Sequence, residues 1–67
     1  MNRADIIEGE LYTYSPYGKK PRKIRCIEHF DDFSSFMVED ETSPSDGVQM
    51  NIVDSDAKMF ITEIPKQ

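Results

Sequence analysis

The apolar residues of this chain are mostly β-branched or aromatic. Seven Ile and three Val stand beside four Phe and three Tyr, against one Leu and two Ala. Branched and ring side chains suit a pleated surface, while the best apolar helix formers are nearly absent. No window of a dozen residues sustains a 3.6-residue period. Short strands divided by turns are the reading that fits.

Ile6 to Tyr14 reads as a first strand, with Ile7, Gly9, Leu11 and Thr13 on one face and Gly9 as a bend or bulge. Ser15-Pro16-Tyr17-Gly18 is a turn, and Pro21 closes its loop. Arg22 to Phe30 is a second strand with Ile24 and Cys26 in phase; Ile27 and Phe30 break the alternation, which predicts strong twist or a bulge. After an Asp31–Ser34 turn, Ser35 to Glu39 is a third strand. Glu41 to Gly47 is the most loop-like stretch and ends in the hairpin dipeptide Asp46-Gly47. Val48 to Val53 alternates cleanly. Asp54 to Lys58 forms one helical turn, capped by Asp54 or Ser55. Met59 to Ile64 is the last strand, ended by Pro65.

These elements predict an all-β fold: a small five-stranded SH3-like barrel, with one short helical turn before the last strand. The expected core is Ile7, Leu11, Ile24, Cys26, Phe36, Val38, Val48, Met50, Ile52, Phe60 and Ile64. With 67 residues, the chain reads as a single domain over 1–67. Such a domain buries only about 60% of its unfolded surface. Few enzymes fit that size, because a catalytic cleft needs walls and the core consumes the apolar residues.

One cysteine, Cys26, permits no disulfide within the chain. Small secreted domains are usually disulfide-dense, so a reducing, cytoplasmic setting is expected. No apolar run approaches the ~18–20 residues of a membrane span. The start, Met1-Asn2-Arg3-Ala4-Asp5, lacks a hydrophobic signal core and reads as the native N-terminus.

Charge is segregated along the chain. Lys19, Lys20, Arg22, Lys23 and Arg25 are five of the eight basic residues, and no acid lies among them. From Glu28 to Asp56 there are nine acids and no Lys or Arg. Tyr12, Tyr14 and Tyr17 lie beside the basic block, and aromatics among Lys and Arg suit stacking on single-stranded bases. Against a nucleic-acid role stands a net charge of −5. The acidic half serves as a solubilising surface, as a docking face for a basic protein, or as a mimic of a nucleic-acid backbone.

Metal signals are weak. Asp54-x-Asp56 begins like a calcium loop, but Lys58 and Met59 replace a ligand and a glycine. Cys26-x-x-His29 offers two zinc ligands where a closed site needs four. Cys26, His29 and Asp31 or Asp32 hold the residue types of a nucleophilic triad. On a regular strand, positions three apart point to opposite faces, which separates Cys26 from His29. No catalytic residues, metal site or cofactor are assigned.

The function expected from these residues is a small acidic protein-interaction module, a regulator or inhibitor of a larger protein or complex. Short acidic inhibitors and adaptors are a common solution among small phage and mobile-element proteins. Tyr12, Tyr14, Tyr17 and Phe33 would anchor the partner. Asp31, Asp32, Glu39, Asp40 and Glu41 would select it. The alternative is a nucleic-acid-associated module using Lys19, Lys20, Arg22, Lys23 and Arg25 with the same tyrosines. No membrane partner is expected, and the oligomeric state is open.

Overall fold

A computed structural model describes residues 1–64. The expected end of the last strand at Pro65 lies outside the described residues. After a 3-10 turn at Arg3–Asp5 come β1 (Leu11–Tyr14), β2 (Arg22–His29), β3 (Phe33–Val38) and β4 (Gln49–Val53). The helix α1 (Asp54–Phe60) and β5 (Ile61–Glu63) follow. The strands form one antiparallel sheet in the order β4-β3-β2-β1-β5. Among the described residues no helix is long and apolar enough to cross a membrane.

The expected barrel is not closed. β4 and β5 are the two edges and do not pair with each other among the described residues. α1 joins them directly, with no loop at either end. At ~1.5 Å per residue, its seven residues span ~10 Å, about two inter-strand spacings. The helix connects the two edge strands in sequence and buries Ala57 in the core. It starts without a side-chain cap: Val53 is the N-cap, and neither Asp54 nor Ser55 serves.

The core lies between the curled sheet and α1. Ile24, Cys26, Phe36, Val38 and Ile52 are buried in it as the alternation predicts, joined by Ile6, Tyr12, Ala57 and Ile61. Leu11, Met50, Phe60 and Ile64 are half-buried. Ile7 and Val48 are 63% and 51% exposed, against expectation. The first segment is not one strand: a turn at Glu8–Gly9, with Gly9 at φ +90°, interrupts it. β1 therefore begins at Leu11, and Tyr12 faces inward opposite Ile24. Val48 precedes β4, where its carbonyl accepts the Val38 N–H at 2.9 Å but its side chain is exposed, while Met50 and Ile52 keep the inward phase. Met59 and Phe60 belong to α1, so Ile61 takes the buried place in β5.

The predicted irregularity in β2 is a register shift between Cys26 and Glu28, with Ile27 left without a partner in the register. It has a consequence for chemistry. Cys26 pairs with Phe36 and His29 with Ser34, two positions of β3 on the same face. The bulge therefore restores His29 to the Cys26 side, contrary to the simple alternation.

Candidate binding face

The aromatic candidates separate into three places. Tyr12 is only 5% exposed, and its Oη accepts the Ile7 backbone N–H at 2.9 Å. It is a core residue, and its inward phase removes it from any surface anchor set. Phe33 lies after the β2–β3 turn, stacked on Phe30 with centroids 4.9 Å apart. Tyr14 and Tyr17 lie at the other end of β2, because Tyr14 pairs with Arg22 at its first residue. Eight residues at ~3.3 Å put the two aromatic groups on the order of 20 Å apart.

At the Tyr14 end a residue expected in the core completes a cluster. The Phe60 ring is edge-on to Tyr17 at 5.0 Å and to Tyr14 at 6.1 Å. The Ser15 N–H donates to the Phe60 carbonyl at 2.9 Å, which fixes the β1 end against the end of α1. Tyr17 is 81% exposed, so its packing is one-sided. Burial pushes the Tyr14 phenol pKa up; the Asp56 carboxylate adds to this, and Arg22 opposes it. Position 60 is apolar in any reading, but only the α1–β5 junction decides that its ring faces the Tyr17 turn.

The acidic set does not form one face. Asp31 and Asp32 sit at the β2–β3 turn, and Glu39, Asp40 and Glu41 follow the far end of β3. Glu39 is held by Arg25: Nε donates to Oε2 at 2.5 Å and Nη2 to Oε1 at 3.2 Å. That hydrogen bond holds the Arg25 pKa above its ordinary value. Asp40 is folded into its own loop. It accepts the Thr42 Oγ1–H at 2.6 Å, the Thr42 N–H at 3.0 Å and the Lys23 N–H at 3.2 Å. These bonds, the Thr42 hydroxyl first, hold its carboxyl below the usual aspartate range. Two of five acids are thus engaged internally, and the five occupy two ends of the molecule.

The basic block also divides. Arg25 is engaged by Glu39 and by the Gly9 carbonyl. Lys23 is exposed on the same outer face of β2. Arg22 has the inward phase, beside Tyr14, and lines a cavity with Lys19, Lys20, Pro21 and the turn 42–45. The hydroxyl-rich turn Thr42–Ser45 was legible only as a loop, because its approach to the basic loop is a tertiary contact.

Three further groups brace the structure, and two of them, Arg3 and the Met1 amine, were not marked by the sequence pattern. The Arg3 guanidinium donates to the carbonyls of Phe30, Asp31 and Phe33 and to Ser34 Oγ, and its Nε pairs with Asp54. His29 Nε2 lies 2.6 Å from the Ile6 carbonyl, so that nitrogen carries the proton, and Nδ1 meets Ser34 Oγ at 2.6 Å. The Met1 ammonium donates to the carbonyls of Ala57, Lys58 and Ile61 at 3.0 to 3.1 Å, at the C-terminal end of α1. His29 is thereby committed to structure rather than to Cys26, whose buried thiol has its pKa raised by desolvation. Among the described residues, no three His, Cys, Asp or Glu side chains gather where they would hold a metal ion.

No protein-family model, curated protein or solved structure matched this chain.

Proposed function

We propose that this chain acts by binding, as a small cytoplasmic protein-interaction module that regulates or inhibits a larger protein, with no catalysis of its own. The observation that carries the reading is the exposed Tyr17 ring packed on Phe60 beside Tyr14. Aromatic rings held by neighbours lose little entropy on binding and dominate interface hot spots. The fold supports the same reading. A meander whose fifth strand returns beside the first through a helical segment has the connectivity of an SH3-like barrel, here left open. On that framework the cluster lies where the first loop meets the segment before the last strand.

The nucleic-acid reading draws on one observation: Lys19, Lys20 and Arg22 lie next to the same aromatics. The net charge of −5 weighs against a long polyanion.

Affinity capture from lysate, with and without nuclease, tests the choice when run beside a Tyr17→Ala variant. An exposed Tyr17 makes that variant neutral to the fold. One stoichiometric protein retained after nuclease and lost with Tyr17→Ala is the expected result. Recovery that collapses with nuclease, or that ignores Tyr17→Ala, overturns it.

A further inference from the structure

We infer that the cavity between the loop 19–22 and the turn 42–45 binds a phosphoryl group carried on a side chain of the protein partner. Lys19, Lys20 and Arg22 line one wall; Thr42, Ser43 and Ser45 line the other. Its volume is 280 Å³, below the ~300–1,000 Å³ of a drug-sized pocket, which fits a small polar group.

The donors there are unspent. Arg22 Nε is buried with no hydrogen-bond partner among the described residues. Closed to solvent, Nε is closed to a ligand in the cavity as well, so the donors an oxyanion can reach are the two lysine ammoniums and the serine hydroxyls. Arg22 Nη1 reaches Ser45 Oγ at 3.4 Å, and the Ser45 N–H donates to Ser43 Oγ at 3.1 Å. Both hydroxyls therefore act as acceptors within the protein and keep their own protons for another acceptor. Neither lysine nor Arg22 has a carboxylate within 4.0 Å among the described residues, where the two ion pairs are Arg3–Asp54 and Arg25–Glu39. Two of the neighbouring acids are occupied, Asp40 by Thr42 and Lys23 and Asp46 by the Asp40 N–H, while Glu41 is exposed beside Thr42 and Asp56 acts on Tyr14 next to Arg22. Pro21 and Pro44 each fix one φ in the two facing segments.

Three cations and two free hydroxyl protons around one small cavity match a compact, doubly charged phosphomonoester. A polynucleotide presents singly charged diesters along a strand, and its length would meet the acidic surface. The inference rests on the protein-interaction reading only for the source of the phosphoryl group. Oxyanion binding itself is measured without any partner.

The test is a titration of the ¹⁵N-labelled chain, read by amide shifts, with four probes: N-acetyl-O-phosphoserine amide, its unphosphorylated form, inorganic phosphate and a short oligodeoxythymidine. The expected result is saturable shifts at 19–22 and 42–45 with phosphoserine amide, tighter than with inorganic phosphate and absent without the phosphoryl group. The exposed pair Lys19→Gln/Lys20→Gln should fold normally and weaken that binding at least about tenfold, the worth of one charge-assisted contact. Silence at these amides, or unchanged affinity in the double variant, overturns the site. Binding of inorganic phosphate alone overturns the side-chain source. Tighter oligodeoxythymidine binding with a steep salt slope assigns the site to nucleic acid instead.

Discussion

Arg3 and Asp54, 51 positions apart, form an ion pair that joins the N-terminal turn to the first residue of α1. The pair is unequal. The Arg3 side chain is 12% exposed and the Asp54 side chain 69%. Arg3 also satisfies three backbone carbonyls of the β2–β3 turn, at Phe30, Asp31 and Phe33. Arg3→Ala should cost about 2–3 kcal/mol, since it removes several charge-assisted hydrogen bonds at once, those to the Phe33 carbonyl and Ser34 Oγ being partly buried. That is a large part of the ~3–5 kcal/mol expected of so small a core. Asp54→Ala should cost under about 1 kcal/mol, as for an exposed partner. Arg3→Lys recovers little, because an ammonium lacks the planar fork. Urea unfolding of the three variants checks the order.

The Met1 ammonium supplies three N–H donors to three carbonyls around the end of α1. Acetylating that amine leaves one N–H and removes a positive charge from the negative end of the helix. The acetylated chain should lose about 1–2 kcal/mol, with an equal m-value. Paired denaturation curves decide it, and coincident midpoints would mean that the amine is solvated.

Cys26 has no exposed surface, and desolvation together with Glu8 raises its thiol pKa. The thiolate is the reactive form, so alkylation of the native chain should be slow at neutral pH. It should proceed only as fast as the core opens. Rapid labelling under native conditions, measured by mass, would contradict the packing of Cys26 against Phe36.

Asp40 is held in its charged form by Thr42 and the Lys23 N–H. A carboxyl whose folded pKa is depressed stabilises the native state above its unfolded pKa and loses that contribution as pH falls through the folded value. Asp40→Asn should therefore be less stable than the parent at pH 7. The gap should close below the normal aspartate range, about pH 4. Thermal melts across that range report it; a gap constant with pH would assign the loss to the amide rather than to charge.

The strands β2, β3 and β4 and the helical segment before β5 were all legible in the sequence. There, runs such as Gln49–Val53 alternate cleanly and Asp46-Gly47 marks the hairpin, where the Gly47 N–H meets the Val38 carbonyl at 2.8 Å. The phase of the first segment was not legible. Ile6 and Ile7 are equivalent in composition, and only the Gly9 turn and the β1–β2 register send Ile6 inward and Ile7 outward. Tyr12 shows the same limit: a tyrosine beside basic residues reads as an anchor until its partner strand is known.

By itself the sequence determined the class of fold. Branched and aromatic residues, placed in short alternations between Pro and Gly turns, leave the backbone no stable alternative to an antiparallel sheet, because local sterics and period-2 burial act on neighbours along the chain. The tertiary structure decided which charges are free. Lys19 and Arg25 are alike in sequence, yet Arg25 is engaged by Glu39 while Lys19 faces a cavity. It also decided that Phe60 joins Tyr17, that His29 turns to Ser34, and that Arg3 closes onto Asp54. Hydrogen bonds and ion pairs act over a few ångströms in space, and chain separation carries no information about them until the sheet has curled and α1 has bridged its edges.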